Sequence, residues 1–113
     1  MSKLIYENPK KITKKQALGL LSTGDSDNVR SALISISLHE SDWRWAQNEC
    51  LRFLNHEDKS IASTAIISIG HIARIHGSID KKEVFDAFEA ISNREELNEQ
   101  IEDTIDDIKI FVK

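Results

Sequence analysis

Apolar residues recur at intervals of three and four positions along most of the chain. Near the C-terminus, for example, Leu97, Ile101, Ile105 and Ile108 are spaced in this way, and this spacing is the period of an amphipathic helix. The complete pattern predicts six helices near residues 13–22, 26–39, 42–54, 58–76, 80–91 and 94–111.

Residues that begin and end helices agree with these boundaries. Three pairs have the spacing of a capping box: Thr13 with Gln16, Asp80 with Glu83, and Asn93 with Glu96. Either Ser41 or Asp42 can begin the third helix in the same manner. Gly24 and Gly77 fall where helices should end. The helices are therefore joined by short turns.

The helical pattern also repeats. The segment ALGLL at residues 17–21 aligns with CLRFL at residues 50–54 and with AFEAI at residues 87–91, at shifts of 33 and 37. Each segment is followed by a turn and a second helix, and the second helices align at shifts of 33 and 36. Two helices per period of this length are typical of helical-hairpin solenoids. We predict an all-α fold of three stacked helical hairpins over residues 13–113, preceded by a basic arm over residues 1–12.

The second helices indicate which class of solenoid this is. DNVRSALISI and DKSIASTAIISIGHIA resemble the second helix of HEAT repeats, with an acid at the turn followed by small and branched residues. The resemblance implies a HEAT-like α-solenoid.

Composition changes this picture little. One proline and four glycines in 113 residues leave few obligatory turns, which suits helices. The single cysteine, Cys50, rules out an intramolecular disulfide and is expected to be a small buried residue in a reducing compartment. The N-terminal segment lacks the apolar core of a signal peptide, and polar residues interrupt the apolar run within residues 61–75. We expect a cytoplasmic protein that does not bind membranes.

Charge is distributed unevenly along the chain. Residues 1–15 have a net charge of +4, residues 16–79 of −2, and residues 80–113 of −6. An acidic C-terminal third is unsuited to direct nucleic-acid binding, which requires a basic face. It favours a basic protein partner instead.

Most of the candidate partner-binding residues lie on the last helix. Five acids there are three or four residues apart, and we call them the acidic ridge: Glu99, Glu102, Asp103, Asp106 and Asp107. Like charges at this spacing cost about 0.2–0.5 kcal/mol per pair, and acids near a helix C-terminus also oppose the macrodipole. Local helix stability does not explain the ridge, whereas a basic partner that relieves the repulsion does.

Three further residues are candidates for the same surface. His71 and Arg74 are three residues apart on the fourth helix and can share a face. Trp43 and Trp45 begin the third helix and cannot point the same way, and we expect Trp43 to be the more exposed. An exposed tryptophan is a frequent interface hot spot.

The sequence contains no arrangement typical of catalysis. No nucleophile, base and acid occur in a recognisable pattern, and paired carboxylates occur only on the ridge, whereas acid–base catalysis needs enclosed, tuned groups. The pairs His39-Glu40 and His56-Glu57 invite a di-iron hypothesis, but they are half a period apart and would not converge. We expect no catalytic residues, no metal and no cofactor.

Three segments, WAQNECLRFLNHED, IGHIARIHGSID and IEDTIDDIKIF, resemble small bacterial HEAT-like proteins. Some of these are immunity proteins of toxin delivery systems, including contact-dependent growth inhibition (CDI). The resemblance covers roughly residues 43–111. Residues carried over from it are Trp45, Cys50, His71, Arg74, Glu102, Asp103, Asp106 and Asp107, of which Trp45 and Cys50 are expected to be structural.

The resemblance implies a cytoplasmic protein that binds one cognate toxin domain, often a basic nuclease, and occludes its active or substrate-binding surface. We expect a monomer, although the sequence does not determine the oligomeric state. Two alternatives remain. A generic adaptor module would use the same surface, but no neighbouring gene would encode a toxin. A metal-dependent hydroxylase or lyase on a HEAT scaffold would contain bound metal.

Overall fold

The computed structural model describes residues 10–113, which form six α-helices and one 3-10 turn. We number the helices in chain order: α1 (Lys14–Leu21), α2 (Ser26–His39), α3 (Trp43–Arg52), α4 (Lys59–His76), α5 (Lys81–Ala90) and α6 (Asn98–Phe111), with the 3-10 turn Glu95–Leu97 before α6.

Most helices begin where a short polar side chain caps them. The capping box of Thr13 and Gln16 is present at α1, and Asp42 rather than Ser41 caps α3. Aspartates also accept a hydrogen bond from a first-turn N–H at three more helices: Asp25 at α2, Asp58 at α4 and Asp80 at α5. Each cap satisfies one backbone donor that the helix leaves unpaired.

The second helix of each hairpin belongs to one layer, in which α4 packs between α2 and α6. The first helices α1 and α3 pack on α2 and α4. α4 and α6 run in the same direction, because Ile66 and Arg74 of α4 contact Thr104 and Asp107 of α6 in the same order along the chain. The prediction of an all-α fold of three stacked hairpins is confirmed.

A continuous apolar core lies between the two sets of helices. Its largest fully buried side chains come mainly from the second helices, among them Leu33, Ile36, Ile66, Ile69 and Ile72. Val84 and Phe88 of α5 are buried in the same cluster. Ile and Leu at three- and four-residue spacing therefore face inward, as the pattern predicts.

The helix predicted near residues 94–111 is present, but the prediction of a capping box at Asn93 and Glu96 is wrong. The 3-10 turn begins without a side-chain cap, and the α-helix starts only at Asn98. The reason is Arg94, whose guanidinium donates to the carbonyl of His56 (Nη1–O 2.6 Å) and pairs with Glu96 (3.1 Å). These contacts hold the segment in a tighter turn that buries Leu97.

A buried hydroxyl occurs at one equivalent position in all three second helices. Ser35, Ser68 and Thr104 are related by the shifts of 33 and 36, and all three are buried. Thr104 donates to the carbonyl of Ile66 on α4 (3.2 Å), and Ser35 donates to the carbonyl of Lys10. The hydroxyl of Ser35 therefore joins the chain at Lys10 to α2.

Residues 10–12 are in contact with the helical domain, because Ile12 also packs against the core. The predicted basic arm covered residues 1–12, and residues 1–9 of it lie outside the described part of the chain. Its boundary with the domain stays a prediction there. Among the helices of residues 10–113, none is both long and apolar enough to cross a membrane.

Candidate partner-binding surface

The acidic ridge lies on α6, whose inward face fixes the orientation of the helix. Ile101, Thr104 and Ile108 are buried against the rest of the domain. Four ridge acids, Glu99, Glu102, Asp103 and Asp106, are exposed, and Asp107 is half-buried. The structure therefore gathers the predicted carboxylates on one helix surface.

The ridge nevertheless has two flanks. Residues two positions apart on a helix point in nearly opposite directions, about 200° apart. Thr104 faces α4, so Glu102 and Asp106 point away from α4. Asp103 lies two residues before Ile105, which packs against the core, so Asp103 points to the open side of the helix layer.

Asp107 is tied to α4. Its carboxylate pairs with Arg74 (Oδ2–Nη1 3.1 Å), with both side chains about one-third exposed. The same carboxylate lies beside Gly70, where a Cβ atom would come within 3.2 Å of Oδ2. The absence of a side chain at Gly70 therefore allows the ion pair to form close to the helix backbone.

His71 completes this cluster. Its Nδ1 lies 2.5 Å from Nη2 of Arg74. Burial lowers the pKa of His71, the positive charge of Arg74 lowers it further, and Asp107 opposes the shift. A neutral imidazole can accept the hydrogen bond from Arg74 and help to hold the guanidinium toward Asp107. The predicted proximity of His71 and Arg74 is thus present, and the pair reaches one end of the ridge.

The other four ridge acids have no ion-pair partner among residues 10–113. Arg74 therefore compensates one of five negative charges. The uncompensated carboxylates are exposed on the surface of α6, where they attract cationic groups over roughly a Debye length, about 8–10 Å.

Trp43 lies apart from this cluster. It begins α3, which packs on α2 and α4, and the guanidinium of Arg44 stands 4.8 Å from its ring centroid. Trp45 is covered similarly by Lys14, at 5.4 Å. Both tryptophans are half-buried and pack against the core. The structure thus does not single out Trp43 by exposure, and it does not bring Trp43 to the ridge.

Three exposed isoleucines on α4 and α6 escaped prediction from the sequence: Ile67, Ile75 and Ile110. Ile67 on α4 is 42% exposed and Ile110 on α6 is 67% exposed. Both occur within apolar runs, IIS and IKIF, so nothing in the runs distinguishes them from core residues. Their position relative to the buried residues of the same helix could have revealed their exposure. Ile67, for example, lies two positions before the buried Ile69 and so points outward.

The remaining candidates occupy ordinary structural places. Cys50 is fully buried, as predicted, and burial raises the pKa of its thiol. His39 ends α2, whereas His56 lies in the turn between α3 and α4, where its Nδ1 accepts from the N–H of Asp58 (2.9 Å). The two His-Glu pairs are therefore at non-equivalent places in the hairpins.

No protein-family model and no curated protein matches the sequence. A solved structure has a similar fold: a chain in the crystal structure of a CDI complex from Cupriavidus taiwanensis LMG 19424, with a TM-score of 0.80 and 24% sequence identity. The likeness covers 92% of this chain and 94% of that chain. The similarity extends over nearly the whole of both chains and establishes a common fold.

Proposed function

We propose that this chain is an immunity protein of the contact-dependent growth inhibition type, which neutralises a cognate toxin domain by binding it. The observation that carries the proposal is the fold shared, over nearly its whole length, with a chain from a CDI complex. The unpaired carboxylates on α6 support it, because they supply a chemistry for binding.

The mechanism is occlusion. A toxin that cleaves nucleic acid needs a basic surface to hold the phosphate backbone of its substrate. Carboxylates spaced along α6 can occupy such a surface, and the bound domain then excludes the substrate sterically. We propose a basic nuclease domain as the partner for this reason. Attraction between opposite charges would also raise the association rate.

The protein acts in this proposal as a cytoplasmic monomer without catalytic residues, metal or cofactor. A rigid helical scaffold suits the task, since a preorganised surface loses little conformational entropy on binding. Capture must precede damage by the toxin, so a fast association rate is as valuable as tight binding.

The test is to co-express the full chain with the product of the gene adjacent to its own and to follow both growth and complex formation. We expect the adjacent product to arrest growth alone, and we expect co-expression to restore growth. Affinity purification should recover a stoichiometric complex whose association slows markedly from low to high salt, because exposed charges are screened.

Two results would refute the proposal. One is growth arrest that co-expression does not relieve. The other is the absence of both toxicity and complex, which would favour the adaptor alternative. An uninduced strain and a strain that expresses an unrelated helical-repeat protein provide the controls for non-specific protection.

A further inference from the structure

The structure assigns the contact to one side of the ridge. We infer that the toxin is bound across the seam between α4 and α6, on the open side of the helix layer, by a segment that places an aliphatic side chain on Ile67 and a lysine or arginine on Asp103. This inference rests on the proposed function and specifies its contact surface.

The α4 half of this surface is a row of residues seven positions apart. Ser60, Ile67 and Arg74 share one face of the helix, because seven residues make almost two full turns. Ser60 contacts Ser26 of α2 (Oγ–Oγ 3.3 Å) at one end of the row, and Arg74 contacts Asp107 of α6 at the other. Ile67 lies between them, uncovered.

The α6 half of the surface is likewise a row of residues along one face of its helix. Asp103, Asp107 and Ile110 follow one another at four and three positions, so they share a face. Asp107 contacts Arg74, which places this face beside the α4 row. Asp103 and Ile110 are exposed there. The seam is thus flanked by one exposed isoleucine and one exposed carboxylate near its middle, with a second isoleucine at its end.

Short contacts fix the two helices relative to each other. Thr104 donates to the carbonyl of Ile66, and the bare Gly70 lets Asp107 and Thr104 approach α4 closely. Arg74 then closes the seam through its bond to Asp107. A surface held in this way is already in its binding geometry, which reduces the entropy lost on association.

Charge complementarity determines the occupant. Asp107 is matched by Arg74, whereas the Asp103 carboxylate has no ion-pair partner in the described chain. A cation placed on Asp103 would be partly shielded from water by a side chain seated on Ile67, and such shielding strengthens an ion pair. A basic segment with an adjacent aliphatic residue fits both features.

The same geometry excludes the other ridge flank. Glu102 and Asp106 have no exposed α4 side chain beside them, because they point away from α4. They contribute to long-range attraction but not to the close contact. Adjacent acids in the sequence, Glu102 and Asp103, should therefore differ sharply in their effect on binding.

The experiment measures association and dissociation rates of the full chain with the toxin domain recovered by co-expression. The variants form two matched pairs. Asp103→Lys and Glu102→Lys change the net charge equally on neighbouring exposed positions. Ile67→Ala and Leu18→Ala remove similarly exposed side chains, 42% and 41%, from α4 and from the opposite helix layer.

We expect Asp103→Lys to weaken binding at least about tenfold and Glu102→Lys to weaken it about twofold, mainly through association. Ile67→Ala should speed dissociation at least about fivefold, and Leu18→Ala should leave it unchanged. Circular dichroism and the thermal midpoint verify that all four variants are folded.

Equal effects of Asp103→Lys and Glu102→Lys, or wild-type dissociation of Ile67→Ala, would overturn the inference while leaving the immunity function intact. Failure of the wild-type chain to bind the toxin overturns both. A complex of two copies of this chain, detected by light scattering and weakened by Asp103→Lys, would assign the surface to self-association instead.

Discussion

At the scale of single residues, two glycines differ in whether their position needs glycine. Gly77 ends α4 with a positive φ of 65°, a conformation that costs an L-residue about 1–2 kcal/mol. Gly19 lies within α1 with nothing within 4 Å of an added Cβ. In a helix interior, glycine is less stable than alanine by roughly 0.5–1 kcal/mol.

Alanine substitutions at the two positions should therefore change stability with opposite sign. We expect Gly77→Ala to lower the free energy of unfolding by about 1 kcal/mol, and Gly19→Ala to raise it by about 0.5 kcal/mol or more. Urea unfolding followed by circular dichroism measures both. A stabilised Gly77→Ala variant would contradict the left-handed end of α4.

His71 predicts a pH dependence. Its pKa in the folded protein is lowered by burial and by Arg74, whereas the unfolded chain retains a value near 6.5. The unfolded state therefore takes up the proton first, so the stability that the neutral imidazole gives is present above about pH 6.5 and decreases as the pH falls through the folded pKa.

The variant His71→Gln should lose less stability than the wild type between about pH 7.5 and 5. Thermal unfolding midpoints over this range, compared pairwise at each pH, provide the measurement. The remaining histidines are common to both proteins and cancel in the difference. Parallel curves would mean that His71 titrates as it does in the unfolded chain.

At the scale of elements, helices were predictable because their signals are local. The three- and four-residue apolar spacing and the caps at Thr13, Asp42 and Asp80 lie within each helix. The start of α6 was not predictable, since it depends on a contact from Arg94 to His56, 38 residues away in the sequence. No local pattern contains that information.

Arg94 should accordingly matter more than its position in a turn suggests. Its side chain is only 18% exposed and donates to a backbone carbonyl, so Arg94→Ala should destabilise the protein by about 1–2 kcal/mol. Lys82→Ala, in an exposed ion pair within α5, is the control and should leave the urea midpoint unchanged. Equal midpoints for the two variants would reject the anchoring role.

At the scale of the whole molecule, packing decides what the candidate site can be. The sequence placed five acids on one helix, but only the position of α4 separates Asp103 and Asp107 from Glu102 and Asp106. The exposure of Ile67 likewise depends on which faces of α4 its neighbours cover. The division of the acids between two flanks, and the exposure of Ile67, can be known only from the tertiary structure. The helical period shows which residues share a face but not which face meets the neighbouring helix.

Cys50 offers a probe of the molecule as a unit. The thiol is fully buried and burial raises its pKa, so both access and thiolate formation are suppressed in the folded state. We expect a thiol reagent to label Cys50 at the rate of global unfolding, with the same urea dependence as circular dichroism. Labelling that is faster than unfolding would indicate that the second hairpin opens by itself.

The flank of α6 that points away from α4, which carries Glu102 and Asp106, affects whether a further hairpin can be added to the repeat. Hairpins in this fold add by burying one face of a second helix against the next, as α6 does against α4 through Thr104. A further hairpin on the opposite flank would have to dehydrate Glu102 and Asp106, which is unfavourable for unpaired carboxylates. Stacking on this flank, by a further hairpin or by a neighbouring molecule, is therefore unfavourable.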